Sequence, residues 1–196
     1  MKRPGWIRVF LIVACTSIFL QSSGAFCADF GEKEAYVKFT LPPPDSVQTQ
    51  AYLGLDAMKQ FKISDIKAKI VVIEVMSAFC LACQANAPIM NDIYKTIQAD
   101  SGLADVKVIA ISIADDKTGV ETFKKQFKTL FPVLLDENGE IMRSMRLKAT
   151  PITIVVSTED AKVLFTQPGV IPDAGGFVKQ VKFVKQLEAM DKENQR

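Results

Sequence analysis

Apolar residues run almost without interruption from position 70 to 76, IVVIEVM, broken only by Glu74 and preceded by Lys67 and Lys69. A β-branched run of that length has no polar face, so it predicts a strand buried on both sides and central in a sheet. The period then changes. Met90, Ile93, Tyr94 and Ile97 fall at i, i+3, i+4 and i+7, which is one apolar stripe of a helix. Residues 106–113, VKVIAISI, predict a second buried strand. Asp115 or Asp116 then stands where a cap is needed for a helix carrying Val120, Phe123 and Phe127 on one face. A short third strand over 132–135 ends at Asp136, and Asn138-Gly139 signals a turn.

Two further apolar runs, 152–156 and 162–165, flank the polar stretch 157–160 and predict an antiparallel hairpin. A last helix is expected to turn Phe177, Val181, Val184 and Leu187 to the core. Upstream, 35–41 predicts an extended segment stopped by Pro42, Pro43 and Pro44, and Ser64 is expected to cap a short helical turn. The order βαβα, short third strand, hairpin, α makes one half of the sheet parallel and the other antiparallel. The expected fold is therefore α/β: a mixed central β-sheet flanked by helices, with an extra N-terminal extended segment. The pattern shows no internal repeat, linker or second domain.

Composition changes this picture at one end of the chain. Of 196 residues, 48% are hydrophobic, enough for a sizeable core. Lys2, Arg3 and Arg8 precede an apolar stretch over 9–20, followed by small and polar residues over 22–25, the order of a secretory signal. Residues 1–27 are expected to be a signal peptide with cleavage near 25 to 28. An uncleaved membrane anchor is the second reading, since the stretch is short for a span of about 20 apolar residues. Removing residues 1–27 takes away three positive charges and no negative one, so the formal charge moves from +2 to −1. The basic balance belongs to that segment, and nothing in the body suggests a nucleic-acid partner.

The chain has no histidine. Ser-His and Cys-His nucleophile pairs, and histidine-ligated metal sites, cannot be built from it alone. Four cysteines remain, Cys15 and Cys27 near the N-terminus and the pair Cys80 and Cys83 just after the predicted central strand. That pair has three readings: a staple, half of a metal site or a reactive dithiol. A bridge across so small a loop removes little unfolded-chain entropy, and a closed zinc site lacks its other ligands, so no metal is expected. The third reading fits the position. At a helix start, unpaired amide N–H groups and the positive helix end favour a thiolate at Cys80, and Cys83 lies one turn along to resolve a mixed disulfide. Strand alternation would point Glu74 inward beneath that helix start, where a carboxylate could carry protons for the resolving thiol. Thr150-Pro151 opens a predicted strand; a bend there would bring the Thr150 backbone towards Cys80.

Taken together, the residues from about Phe39 to Leu187 resemble the thioredoxin superfamily, and within it the TlpA/ResA-like extracytoplasmic thiol-disulfide oxidoreductases. Phe79 precedes CxxC where the family usually has Trp, Pro88 follows the second cysteine by five positions, Glu74 matches the buried acid, and Thr150-Pro151 matches the cis-proline step. The resemblance implies a thioredoxin-like domain over 28–196, with Cys80, Cys83 and Glu74 catalytic and Phe79, Thr150 and Pro151 binding the substrate. It implies no cofactor, protein disulfide or thiol clients, a membrane electron donor, and a periplasmic or other extracytoplasmic location. Leu81-Ala82 departs from the usual polar or proline-containing dipeptides, so neither a ring nor a charge tunes Cys80; the expected direction is reduction of client disulfides.

Two alternatives stand beside this reading. A peroxiredoxin-like thiol peroxidase would need a proline seven residues and Thr or Ser three residues before its cysteine; Ser77 fits the second place, but Ile73 occupies the first. A redox-inert docking module of the same fold is the other. A copper-delivery protein of related fold would call for a distant histidine and CxxxC spacing, neither of which is present.

Overall fold

The computed structural model describes residues 37–194. Its centre is a five-stranded sheet in the order β3-β2-β1-β4-β5, formed by β1 (Ile70–Met76), β2 (Val106–Ile113), β3 (Val133–Asp136), β4 (Ile152–Ser157) and β5 (Val163–Pro168). The strands β1, β2 and β3 run parallel, whereas β4 pairs antiparallel with β1 and β5 antiparallel with β4. This is the mixed sheet that the element order predicts, and β1 is central with all seven residues buried.

Alternation along β1 sorts its side chains into two cores. Ile70, Val72 and Met76 meet α2 (Leu81–Ala99), α3 (Lys117–Phe127) and α5 (Ala174–Asn194) on one face. Val71, Ile73 and Val75 meet Leu41, Leu53, Phe61 and Ile141 on the other. That second face is covered by α1 (Val47–Leu53), α4 (Glu140–Ser144) and the N-terminal segment, in which Leu41 pairs with Phe61 and the Val37 N–H donates to the Ala161 carbonyl. Glu74 shares the α2 side of the sheet with Val72 and Met76. The parallel strands all end at the pole where α2 and α3 begin, which gathers the CxxC loop, the β2–α3 loop and the segment before β4 at one end of the molecule.

Several local expectations change. The turn Ile63–Asp65 starts at Lys62, whose N–H donates to the Asp65 carboxylate at 2.8 Å; Ser64 lies inside the turn and does not cap it. Asp116 caps α3, accepting the Gly119 N–H at 2.7 Å, and Asp115 is free for another task. Leu187 is 42% exposed because the buried part of α5 is confined to its first turns: Phe177, Val178 and Val181 anchor it and Val184 packs only partly. Two short helices have no counterpart in the apolar pattern: α1, capped by Ser46, and α4, whose first N–H groups at Glu140 and Ile141 donate to the Asp136 carboxylate. The signal segment, Cys15 and Cys27 lie outside the described residues.

Candidate active site

Cys80 is the N-cap of α2. Its extended backbone, φ −80° and ψ 117°, places Sγ over the first turn, where it accepts the Cys83 N–H at 3.4 Å. On its other side the thiol lies 3.5 Å from the Thr150 carbonyl oxygen. Cys83 is wholly buried against the core, and both thiols are free. Burial raises Cys80, but hydrogen bonds from the Cys83 and Thr150 side chains and from the Cys83 and Ala82 backbone outweigh it, so the thiol sits below its ordinary value. Cys83 moves the other way: burial, then its hydrogen bond to Cys80, pushes it up to about 12. The two sulfurs are thereby divided into an accessible, more acidic one and a buried, reluctant one.

Thr150-Pro151 is a cis peptide bond directly beside Cys80. Phe79 is 72% exposed and Leu81 80%, an apolar rim on both sides of the nucleophile position. One edge of the Phe79 ring rests on Gly119, where an added Cβ would come within 3.1 Å of two ring carbons; a side chain at 119 would displace the ring.

Glu74 is 2% exposed on the α2 face of β1 and accepts the Asn86 side-chain N–H at 2.8 Å. Burial, opposed by that hydrogen bond, raises its carboxyl from the ordinary 4.5 to about 7. The structure thus brings Cys80, Cys83, Phe79, Thr150 and Pro151 together at one pole, with Glu74 beneath the start of α2.

The sequence offers Asp115 only as a possible cap for α3, and does not single out Asn86 at all. Asp115 is 4% exposed and accepts from Ser77 Oγ at 3.0 Å, from the Ala78 N–H at 2.7 Å and from Ser112 Oγ. It fastens the CxxC loop to the end of β2. Asp115→Ala leaves the buried Ala78 N–H without its acceptor and is expected to cost roughly 1–3 kcal/mol in urea unfolding; an unchanged midpoint would show that the loop is held by other contacts. The signal for Asn86 was present but ambiguous: an amide on the same stripe as Met90, Ile93 and Ile97.

The profile of the AhpC/TSA family matches residues 34–165. The chain belongs to the AhpC/TSA family. Within reach of this family, it is similar to the thiol-disulfide oxidoreductase ResA of Bacillus thuringiensis subsp. konkukian, 27% identical over 106 residues, which cover 54% of this chain and 58% of that protein. It is also similar to ResA of Bacillus subtilis, 26% identical over 101 residues, 52% of this chain and 54% of that one. The chain thus spans a little over half the length of these curated relatives. Among solved structures it resembles the thioredoxin domain of a thiol-disulfide oxidoreductase from Bacteroides vulgatus, with a TM-score of 0.58 and 14% identity over 76% of this chain and 96% of that one. The family member described here has a thioredoxin-like fold.

Proposed function

We propose that the protein is an extracytoplasmic thiol-disulfide oxidoreductase that reduces disulfides of partner proteins through the Cys80–Cys83 pair. The observation that carries this reading is the division of labour at the start of α2: an acidified thiol at the N-cap beside the Thr150 carbonyl, and a buried thiol one turn behind it. The names of the ResA relatives support it.

In the proposed cycle the Cys80 thiolate attacks one sulfur of a client disulfide. A Cys80–client bond forms, the client disulfide breaks, and the departing client sulfur leaves as a thiolate that takes up a proton. With Cys80 now bonded, its contribution to raising Cys83 is gone and burial alone opposes ionisation. Cys83 gives its proton to Glu74 and attacks Cys80 Sγ; the Cys80–Cys83 bond forms and the second client sulfur leaves, to be protonated in turn. The client gains the two electrons that the CxxC pair loses, and two protons from solvent; these balance the proton that Cys80 released in forming its thiolate and the Cys83 proton, which Glu74 returns to solvent. Phe79, Thr150 and Pro151 present an apolar rim and a main-chain carbonyl to the client. The scheme uses no cofactor and no metal.

Export through the signal segment at 1–27 completes the reading, with a membrane electron donor regenerating the dithiol. Among the described residues, no helix is long and apolar enough to cross a membrane.

Cys83→Ala tests the cycle. It is expected to accumulate a covalent Cys80 adduct with a disulfide client, seen as a mass increase that dithiothreitol removes. No adduct would remove the proposed cycle, and peroxide turnover that survives in this variant when a small thiol is supplied would replace the reading with a thiol peroxidase.

A further inference from the structure

The buried positions of α2 are Cys83, Asn86, Ala87, Met90, Asn91, Ile93 and Ile97; of the two amides, Asn91 is paired with the backbone of Phe127, Lys128 and Leu130 at the end of α3, and Asn86, at 0% exposure, lies one turn after Cys83. A buried amide is costly unless its polar atoms are paired. Both ends of Asn86 are paired. Its Nδ2 donates to Glu74 Oε1 at 2.8 Å, and its Oδ1 accepts the Ile171 N–H at 2.9 Å. A backbone N–H only donates, so Oδ1 must face Ile171 and the NH2 group must face the carboxyl. The amide therefore has one usable orientation. Ile171 lies two residues after Gly169, whose N–H donates to the Pro151 carbonyl at 2.8 Å. One side chain thus joins the buried acid to the segment that braces the proline beside Cys80.

The neighbours of Glu74 leave Asn86 as its polar tie. Across the sheet Ala110 of β2 and Thr153 of β4 stand opposite it in register. Thr153 is fully buried, and among the described residues its Oγ1 has no hydrogen-bond partner. On α2 the titratable group sharing the Asn86 face is Cys83, one turn earlier; the segment before α5 contributes Ile171.

We propose that Asn86 is a positioning residue for the proton transfer between Cys83 and Glu74, holding the carboxyl against α2 and tying it to the Ile171 segment. The inference rests on the reading of Glu74 as the proton acceptor. In that step the Cys83 S–H bond breaks as Cys83 Sγ bonds to Cys80 Sγ. The proton passes to the Glu74 carboxylate, and the electron pair of the Cys80–client bond leaves with the client sulfur. Asn86 gains and loses nothing; it acts through Glu74. An N–H donor to a carboxylate favours the charged form, so removing it leaves burial unopposed and keeps the acid protonated to higher pH.

The test uses the full chain and a small disulfide-bonded peptide as client. Cys83-dependent release of the peptide from Cys80 is followed from pH 5 to 9 in the wild type, Asn86→Asp, Asn86→Leu and Glu74→Gln. The Glu74 carboxyl carbon is titrated by NMR in the first three. Asn86→Asp keeps an acceptor for Ile171 but turns the donor facing Glu74 into an acceptor. Its Glu74 midpoint, and the limb of the release profile that follows it, are expected to move up by roughly one pH unit or more. Asn86→Leu moves both the same way; should it fail to fold, Asn86→Asp alone carries the test. A Glu74 midpoint and limb at the wild-type pH in the Asn86 variants, with Glu74→Gln abolishing the limb, overturn this inference and leave the role of Glu74 standing. A release profile unchanged in Glu74→Gln removes that role, and this inference with it.

Discussion

Cys80→Ser is expected to abolish disulfide reduction, by on the order of 10³-fold or more, while leaving the fold in place. The serine oxygen can still accept the Cys83 N–H at the N-cap of α2, so the helix start keeps its partner. What disappears is the thiolate. The hydrogen bonds that draw the Cys80 thiol down have no comparable effect on a hydroxyl, which stays protonated throughout the neutral range. Reduction of a disulfide-bonded peptide measures the loss, and circular dichroism with urea unfolding checks the fold. Retention of more than a tenth of the wild-type rate would move the nucleophile away from Cys80.

Glu74→Gln is expected to trade activity for stability. The carboxyl titrates at an ordinary 4.5 when the chain is unfolded and at about 7 when folded. Below 4.5 both states hold the proton and the acid has no effect on the balance. Between 4.5 and 7 the folded protein keeps a proton that the unfolded chain releases, so stability falls as pH rises, and above 7 the loss is complete. That loss is on the order of 3 kcal/mol. A glutamine stays neutral, can still accept from Asn86 through its side-chain oxygen, and carries no such penalty. In urea unfolding the variant should match the wild type near pH 4 and exceed it at pH 8; parallel pH dependence in the two proteins would sink the argument. Release of the client by Cys83 should slow by roughly 10²-fold at neutral pH, the usual scale for losing a positioned base.

Both expectations depend on residues that the chain advertises to different degrees. A pair of cysteines after a buried strand is visible without coordinates, and so is a lone carboxylate inside an apolar run. The strands β1 and β2 announce themselves because burial on both faces leaves few polar positions, and α2 and α3 because one face must be apolar at a period of 3.6. The short helices α1 and α4 do not. Seven and five residues carry too few turns for periodicity, and both are started by capping groups, Ser46 and Asp136, that could equally serve turns. Leu187 shows the opposite failure: it keeps the helical period of α5 beyond Val181, the last wholly buried position of that helix among the described residues, so the pattern continues where the core does not.

By itself, then, the sequence determined the mixed α/β order, the two cysteines at a helix start and an inward acid six residues before the first of them. Each follows from neighbours close along the chain, because strand alternation, helix period and N-cap chemistry are local. Only the tertiary structure decided that Asp115 grips the CxxC loop and does not cap α3, that the Thr150 carbonyl faces Cys80 Sγ, and that Asn86 links Glu74 to Ile171. Those partners are separated by 37, 70, 12 and 85 positions. A polar side chain on a buried face declares that it needs a hydrogen bond; which group supplies it is set by the register of strands and helices packed from distant parts of the chain.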